Sequence, residues 1–328
     1  MIITGRKKKM KRKIYSTILV IGLLGLLLAG CGNKKAEEVN DGKEIINSGD
    51  PIIVSTMNDT EGEILGRMMV LALEDAGYEV TDNTFGYQGT VNGRTALLEG
   101  ETDIYMDYTG RGLRLIEGVD PALYSKMDTA FESISTWDKE NNNLIWMTYA
   151  PYSNTDGLAV TKEFSKKNNV KTLEDLADYI NNGGEVKLLC YNYFVTLATG
   201  LPGLEAAYGF KIPEEDITVD ISNPEQMLSE GTNGANICHL YTSSGLVDAY
   251  DLVVLEDSKG ICPVYSPAPI IRKERLDKYP GIQEVMEKVF TSITLEDQVK
   301  MNEKVQVEGE SGIDVAREYL QSKNLISK

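Results

Sequence analysis

Apolar and polar positions along this chain shift repeatedly between strand-like runs and helix-like spacing. Residues 52–56 are a short β-rich run that ends in the polar Met57-Asn-Asp-Thr-Glu61, and residues 64–77 then carry apolar side chains at helical spacing up to a glycine stop. Residues 78–81 predict a second strand, 85–90 a loop and 91–99 a helix closed by Gly100. Residues 103–107 form a third strand, which runs through a glycine-punctuated turn into a helix over 112–117. This rhythm predicts a mostly parallel sheet with helices on its faces.

Residues 120–143 read as a polar helix and 144–149 as a strand, after which 151–160 pass from turn residues into another strand, a crossover between lobes. The pattern then starts afresh, with strands at 186–190, 235–239 and 252–256 and helices at 172–179, 204–208 and 224–229. A crossing strand at 267–271 leads to helices at 280–292, 295–305 and 313–322. The expected organisation is a first lobe over 51–155, a second lobe over 156–265 and a return to the first over 266–328. A cleft between lobes joined by two strands can enclose a ligand.

The amino terminus follows another pattern. Arg6, Lys7, Lys8, Lys9, Lys11, Arg12 and Lys13 precede an apolar run at 18–28, arranged as in a secretory signal and shorter than the about 20 residues a bilayer crossing needs. The run ends in Leu28-Ala29-Gly30-Cys31, which resembles the lipobox of bacterial lipoproteins, where the signal is cut before the cysteine and that cysteine is lipidated. The expectation is a signal peptide over 1–30, lipid on Cys31 and a polar tether over 31–50, with the mature chain anchored outside the cell membrane.

Composition narrows the function. The 328 residues are 42% hydrophobic, ample for two globular lobes. The formal net charge of −17 becomes −24 once the seven basic residues of 1–30 are removed with no acidic ones. Nucleic acid and anionic headgroups repel such a chain, and a cationic ligand is favoured, though solubility alone also accounts for an acidic surface. Cys190, Cys238 and Cys262 follow Cys31 without a C-x-x-C pair, and His239 is the one histidine. A Cys/His zinc site or a Ser-His-Asp triad has little material, so no metal, cofactor or enzyme is expected. An exported location permits a disulfide, for which Cys238 with Cys262 is the pair to test.

Residues 101–113 gather the candidate chemistry. Tyr105, Tyr108 and Thr109 offer ring faces and a hydroxyl at the carboxyl end of a strand, where open α/β sheets hold ligands. Nothing nearby forms a nucleophile–base pair. The stretch suits holding a solute, although tyrosines at a strand end also serve as half-buried core.

The order of motifs carries a resemblance. Ser55, Asn58-Asp-Thr-Glu61, Gln88-Gly-Thr90, Gly100-Glu-Thr-Asp-Ile-Tyr-Met-Asp-Tyr-Thr-Gly110, Asn154-Thr155, Leu158-Ala-Val160, Pro202-Gly-Leu204, Tyr208-Gly209, Tyr241, Gly245, Tyr250-Asp-Leu-Val-Val-Leu-Glu-Asp257, Tyr265 and Ala268-Pro269 follow one another from about residue 50 to 328. The series resembles the substrate-binding proteins of the glycine betaine/carnitine/choline class of ABC importers. The resemblance implies the α/β two-lobe periplasmic-binding-protein fold, a quaternary-ammonium or related cationic solute held in an aromatic cage, and a permease with its ATPase as partners. Carried over by position, the ligand contacts are Asn58, Thr60, Gln88, Gly89, Thr90, Tyr108, Thr109, Asp156, Tyr193, Tyr241, Thr242 and Tyr265.

The chain departs from the family pattern at charged positions. Met57 stands for the lysine of S-K-x-F-T-E-Q and Gly62 for its glutamine, Leu197 stands where E-F-x-x-R-x-D-G has its arginine, and Asp156 replaces an aromatic residue. Without that arginine a ligand carboxylate lacks its fork of charge-assisted hydrogen bonds, so the expectation is a net cation such as choline in preference to a zwitterion. Asp156 is equally suited to capping the turn before Gly157. A sensor or protein-binding lipoprotein, or a binder of another small amine or amino-acid-like solute, remains the alternative.

Overall fold

Among the described residues ten strands pair into two sheets, as apolar runs separated by helices and turns are brought side by side. The computed structural model describes residues 44–219 and 221–327. The expected signal peptide, Cys31 and most of the tether lie outside the described residues. The strands are β1 (Ile52–Met57), β2 (Val80–Tyr87), β3 (Ile104–Tyr108), β4 (Leu144–Trp146), β5 (Asp156–Thr161), β6 (Leu188–Leu189), β7 (Ile217–Thr218), β8 (Ile237–Tyr241), β9 (Leu252–Val254) and β10 (Pro267–Arg272).

The first sheet has the order β2-β1-β3-β10-β4 and the second β7-β6-β8-β5-β9. In the first, β1 is parallel to β2 and β3, while β10 runs antiparallel to β3 and β4. In the second, β6 is parallel to β7 and β8, while β5 runs antiparallel to β8 and β9. Both sheets are therefore mixed where the sequence suggested mostly parallel pairing. The antiparallel strands β5 and β10 are the ones that receive the chain as it changes sheets.

Two connecting segments run side by side between the sheets. Asn154 N donates to Tyr265 O at 3.0 Å, Ala150 N to Pro267 O at 2.9 Å, and Thr155 Oγ1 to Pro263 O at 2.5 Å. Each sheet has its own apolar core, built around Ile52, Leu65, Met68 and Ile104 in the first and Leu158, Leu188, Phe194 and Leu204 in the second. The carboxyl-terminal helices Gly281–Phe290, Leu295–Gln306 and Gly312–Ser322 pack on helix Thr60–Asp75, which follows β1. Helix Leu295–Gln306 also reaches the second lobe. Gly245 N donates to Gln306 Oε1 at 3.0 Å, and a Cβ on Gly245 would stand 2.2 Å from Glu303 N, so only glycine admits this approach.

Several boundaries differ from the sequence pattern. β2 continues through the expected loop to Tyr87, past an irregularity in its pairing with β1, because Phe85 N is held by Thr56 Oγ1 at 2.9 Å. The helix expected over 112–117 instead spans Thr109–Leu113 and contains both glycines. A Cβ on Gly110 would lie 2.4 Å from Val264 O and one on Gly112 2.6 Å from Ile134, so these glycines mark close packing and not a turn. The polar helix of 120–143 divides into a short 3-10 turn, Pro121–Tyr124, and helix Met127–Asn142. Cys190, Cys238 and Cys262 are all free, buried thiols, so the Cys238–Cys262 pair singled out for testing is not bridged.

One buried ion pair fastens the first lobe. Asp138 accepts from both Nη atoms of Arg94, from Trp146 Nε1 at 2.7 Å and from Asn142 Nδ2 at 2.7 Å, and it is fully buried. Asp138→Ala would strand the Arg94 guanidinium, which is also buried, and should lower stability by about 3–5 kcal/mol. Urea unfolding of the variant measures this, and a loss under about 1 kcal/mol would contradict the burial of the pair.

Candidate ligand site

The second lobe turns a tyrosine wall toward the first. Strand pairing sets Asp156 directly opposite Tyr241, and His239, two residues earlier on β8, shares the face of Tyr241. Helix Asn192–Thr196, following β6, adds Tyr193 and Phe194, with Tyr191 at its amino-terminal cap. His239 is fully buried at the centre of this group. Its ring stacks on Phe194 at 4.1 Å and meets Tyr191, Tyr193 and Tyr241 edge-on at 5.5, 5.6 and 6.0 Å. Tyr193 and Tyr241 are each 39% exposed, whereas Asp156 behind them is 6% exposed.

Hydrogen bonds give this wall a direction. Asp156 Oδ1 lies 2.6 Å from the Tyr193 hydroxyl and 2.9 Å from His239 Nε2. A carboxylate oxygen can only accept, so both groups donate to it. The Tyr193 hydroxyl also lies 2.9 Å from the Tyr241 hydroxyl. Burial, followed by the negative charge of Asp156, pushes the Tyr193 hydroxyl far above its ordinary range, which keeps it a donor.

The first lobe contributes charge of both signs. Asp59 caps helix Thr60–Asp75, its Oδ1 accepting from Gly62 N at 2.6 Å, and this turn places Glu61 inward. Glu61 is 5% exposed, and its Oε1 accepts from the hydroxyls of Tyr108 at 2.9 Å and Tyr152 at 3.1 Å. Its Oε2 accepts from Ser243 Oγ of the second lobe at 2.5 Å and from Asn302 Nδ2 at 3.4 Å. Burial pushes the Glu61 carboxyl up, opposed by the Ser243 hydroxyl and reinforced by the Asp59 charge. Beside this clasp, Arg111 Nη1 lies 2.9 Å from Met57 Sδ, and its guanidinium carbon sits 5.3 Å from the centre of the Tyr108 ring. The groups that interact with it electrostatically include Tyr108, Asp107, Asp59 and, from the facing lobe, Tyr241.

The expected ligand contacts separate into three groups. Tyr193, Tyr241 and Asp156 meet in the tyrosine wall, with Asp156 buried behind the rings. Tyr108, Thr109, Thr242 and Tyr265 are buried or half-buried and hold the frame. Tyr108 is 2% exposed with its hydroxyl on Glu61, Thr109 Oγ1 accepts from Ser266 N at 3.1 Å, and Thr242 Oγ1 both donates to Ser153 O at 2.9 Å and accepts from Thr155 N at 3.0 Å. The Tyr265 hydroxyl pairs with Arg114. Asn58 and Gln88 are exposed, drawn together as Asn58 N donates to Tyr87 O at 2.9 Å; Thr60 opens helix Thr60–Asp75, and Gly89 and Thr90 open helix Gly89–Glu99.

Tyr191, His239, Glu61 and Arg111 did not emerge from the sequence as site residues. Leu197, aligned with the family arginine, terminates helix Asn192–Thr196 with its N–H on Tyr193 O at 2.9 Å and brings no charge. Arg111, in the opposite lobe, is a cation that the sequence reading did not single out. Among the described residues no cluster of His, Cys, Asp and Glu has the form of a metal site.

Comparison with known proteins places this geometry. Residues 50–322 match the family model described as the substrate binding domain of ABC-type glycine betaine transport systems. The chain is 32% identical over 283 residues to the glycine betaine-binding protein YehZ of Escherichia coli K12, covering 85% of this chain and 92% of that one. It is 30% identical over 321 residues to the ergothioneine transport permease/ergothioneine binding protein EgtU of Helicobacter pylori G27, covering 96% of this chain but 53% of that longer protein. Among solved structures, apo YehZ of E. coli superposes with a TM-score of 0.75 at 32% identity over 84% of this chain and 99% of that one. A glycine betaine/carnitine/choline ABC transporter structure gives 0.72 at 21% identity, over 84% of this chain and all of that one, and shares the fold. The architecture is the two-lobe periplasmic-binding-protein fold.

Asp107, under the Tyr108 end of β3, provides a titration test. Burial raises its carboxyl to about 7 from an ordinary 3.8, opposed by the Tyr108 N–H and the Arg111 charge. Below 3.8 the folded and unfolded chains both hold the proton; between 3.8 and about 7 only the folded chain does, so this contribution to stability is lost as pH rises through that window. Asp107→Asn should remove that loss, so urea midpoints of the variant should fall less than those of the natural protein between about pH 4 and 7. Equal pH slopes would mean that Asp107 ionises freely in the folded state.

Proposed function

This chain belongs to the family of substrate-binding domains of ABC-type glycine betaine transport systems, and on that premise we propose that it captures a quaternary-ammonium solute and delivers it to an ABC importer. Substrate-binding proteins of such importers work outside the cytoplasmic membrane and are not enzymes. The observation that carries the ligand class is the half-exposed pair Tyr193 and Tyr241, facing the first lobe with Asp156 behind them. A trimethylammonium group has no proton to donate, so ring faces attract it without competing for its hydrogen bonds.

Arg111 extends the reading to the other end of the ligand. A guanidinium near Tyr241 across the cleft from the Asp156 side suits a zwitterion, its cation on the tyrosines and its carboxylate toward Arg111. Glycine betaine, carnitine and ergothioneine carry both charges, and choline carries the cation alone. The partners are a permease and its ATPase. The lobes are read as residues 51–155 with 266–328, and 156–265, a division supported by the two sheets and the paired connections between them. Cleavage after Gly30 and lipid on Cys31 would hold the protein at the membrane.

Calorimetry with these four solutes tests the proposal. At least one should bind, and Tyr241→Ala should weaken it by about 1–2 kcal/mol, roughly five- to thirtyfold. Arg111→Met should weaken the three carboxylate-bearing solutes and spare choline; equal losses for all four would remove Arg111 from carboxylate recognition. Mass spectrometry of the membrane fraction should find no peptide from residues 1–30 and an acyl-modified Cys31. A chain that begins elsewhere without lipid would refute the anchor.

A further inference from the structure

We propose that Asp156, though it does not touch the ligand, is the specificity-determining charge of this site, acting from behind Tyr193 to make the tyrosine wall select a cation over a neutral group of the same shape. The inference rests on the proposed binding of a quaternary-ammonium solute to that wall. Three observations carry it. Asp156 is 6% exposed and covered by Tyr193 and His239, so no solute reaches it for a direct ion pair. Its oxygen takes the Tyr193 hydroxyl at 2.6 Å and His239 Nε2 at 2.9 Å, and the Tyr193 hydroxyl lies 2.9 Å from that of Tyr241, so the carboxylate is linked to both rings of the wall. His239 Nδ1 is buried with no hydrogen-bond partner, which fits a neutral ring whose one proton sits on Nε2.

The neutral histidine decides the sign of the wall. A protonated ring would cancel the carboxylate, whereas a neutral one orients it and leaves a net negative charge behind the phenols. The Tyr193 hydroxyl points its hydrogen at Asp156 and leaves its ring in front of the carboxylate. A cation at the ring faces therefore gains attraction to the carboxylate in addition to the ring quadrupole, in surroundings where charges are poorly screened. Phe194, stacked on His239 at 4.1 Å, closes the far side, so the charge has no route to water through the second-lobe core. The wall attracts a cation but keeps an acidic oxygen out of its reach.

The test compares choline with 3,3-dimethylbutan-1-ol, its uncharged isostere, by calorimetry on the purified full chain in detergent. The natural protein should prefer choline. Asp156→Asn keeps the shape and the acceptor but removes the charge, and should weaken choline roughly ten- to hundredfold while changing the isostere by less than about threefold. Tyr193→Phe cuts the hydroxyl link but keeps both ring and charge, and should retain the preference for choline. Equal weakening of the two solutes in Asp156→Asn would make Asp156 a structural acceptor only and overturn the proposal. Loss of the preference in Tyr193→Phe would also overturn it by assigning selectivity to the hydroxyl, and this arm decides the matter if Asp156→Asn fails to fold. If choline and the betaines all fail to bind the natural protein, the proposed ligand class falls and this inference with it; choline binding with its preference over the isostere kept in Asp156→Asn overturns the inference alone.

Discussion

A single buried carboxylate, Glu61, joins the parts of this molecule that sequence separates most widely. Its two oxygens are divided between lobes: Oε1 takes the hydroxyls of Tyr108 and Tyr152, and Oε2 takes Ser243 from the second lobe and Asn302 from the returning helix Leu295–Gln306. A buried carboxylate with so many donors is costly to separate, because each donor would have to be solvated or left unpaired. Asn302 also donates to Ser243 O at 2.7 Å, so the second-lobe turn is held at both its hydroxyl and its backbone. Gly245 permits this, since any side chain there would collide with the backbone of Glu303. The lobes are thus related through a third contact besides the two connecting strands, and the described arrangement is one in which that contact is made.

The sequence revealed the fold through features that follow chain periodicity. Strand and helix spacing located the longer elements but not short ones such as helix Asn192–Thr196, and the restart of the pattern after residue 156 corresponds to a second sheet. Where periodicity misled, tertiary packing had overridden a local signal. Gly110 and Gly112 have the form of turn punctuation, yet they lie inside a helix because Val264, Ile134 and Trp146 approach too closely for any Cβ. The mixed pairing of both sheets was hidden for a related reason: periodicity reports which face of a strand is buried but not the direction of its neighbour.

The site was legible only where a residue's type announced its chemistry. Tyr193 and Tyr241 could be named in advance because a ring is a candidate wherever it occurs in a motif. Glu61 could not, since one acidic residue among 50 in a chain of net charge −17 has no distinguishing mark until it is buried. His239 was dismissed for want of partners with which to form a zinc site or triad; its actual partner, Asp156, lies 83 positions away and meets it only through the antiparallel register of β5 and β8. Arg111 stood within the stretch singled out for its tyrosines, but helix geometry, not spacing, turns it toward the cleft. The missing signal in each case was a pairing between distant segments.

These pairings share one chemical consequence. Both buried carboxylates nearest the cleft are covered by hydroxyls: Glu61 by Tyr108, Tyr152 and Ser243, and Asp156 by Tyr193 with the His239 ring. A bare carboxylate would favour strongly hydrated cations, such as metal ions or primary ammonium groups, which replace water with direct ionic and hydrogen bonds. A phenol face offers little to such ions, since it cannot repay their lost hydration, but it suits a weakly hydrated cation with no N–H to satisfy. Covering the acids with tyrosines thus turns negative charge, abundant in this chain, from a general attraction for cations into discrimination among them. Arg111 brings a charge of the opposite sign within electrostatic range of Tyr241, so on the proposed reading the separation of charges within a solute becomes part of its recognition.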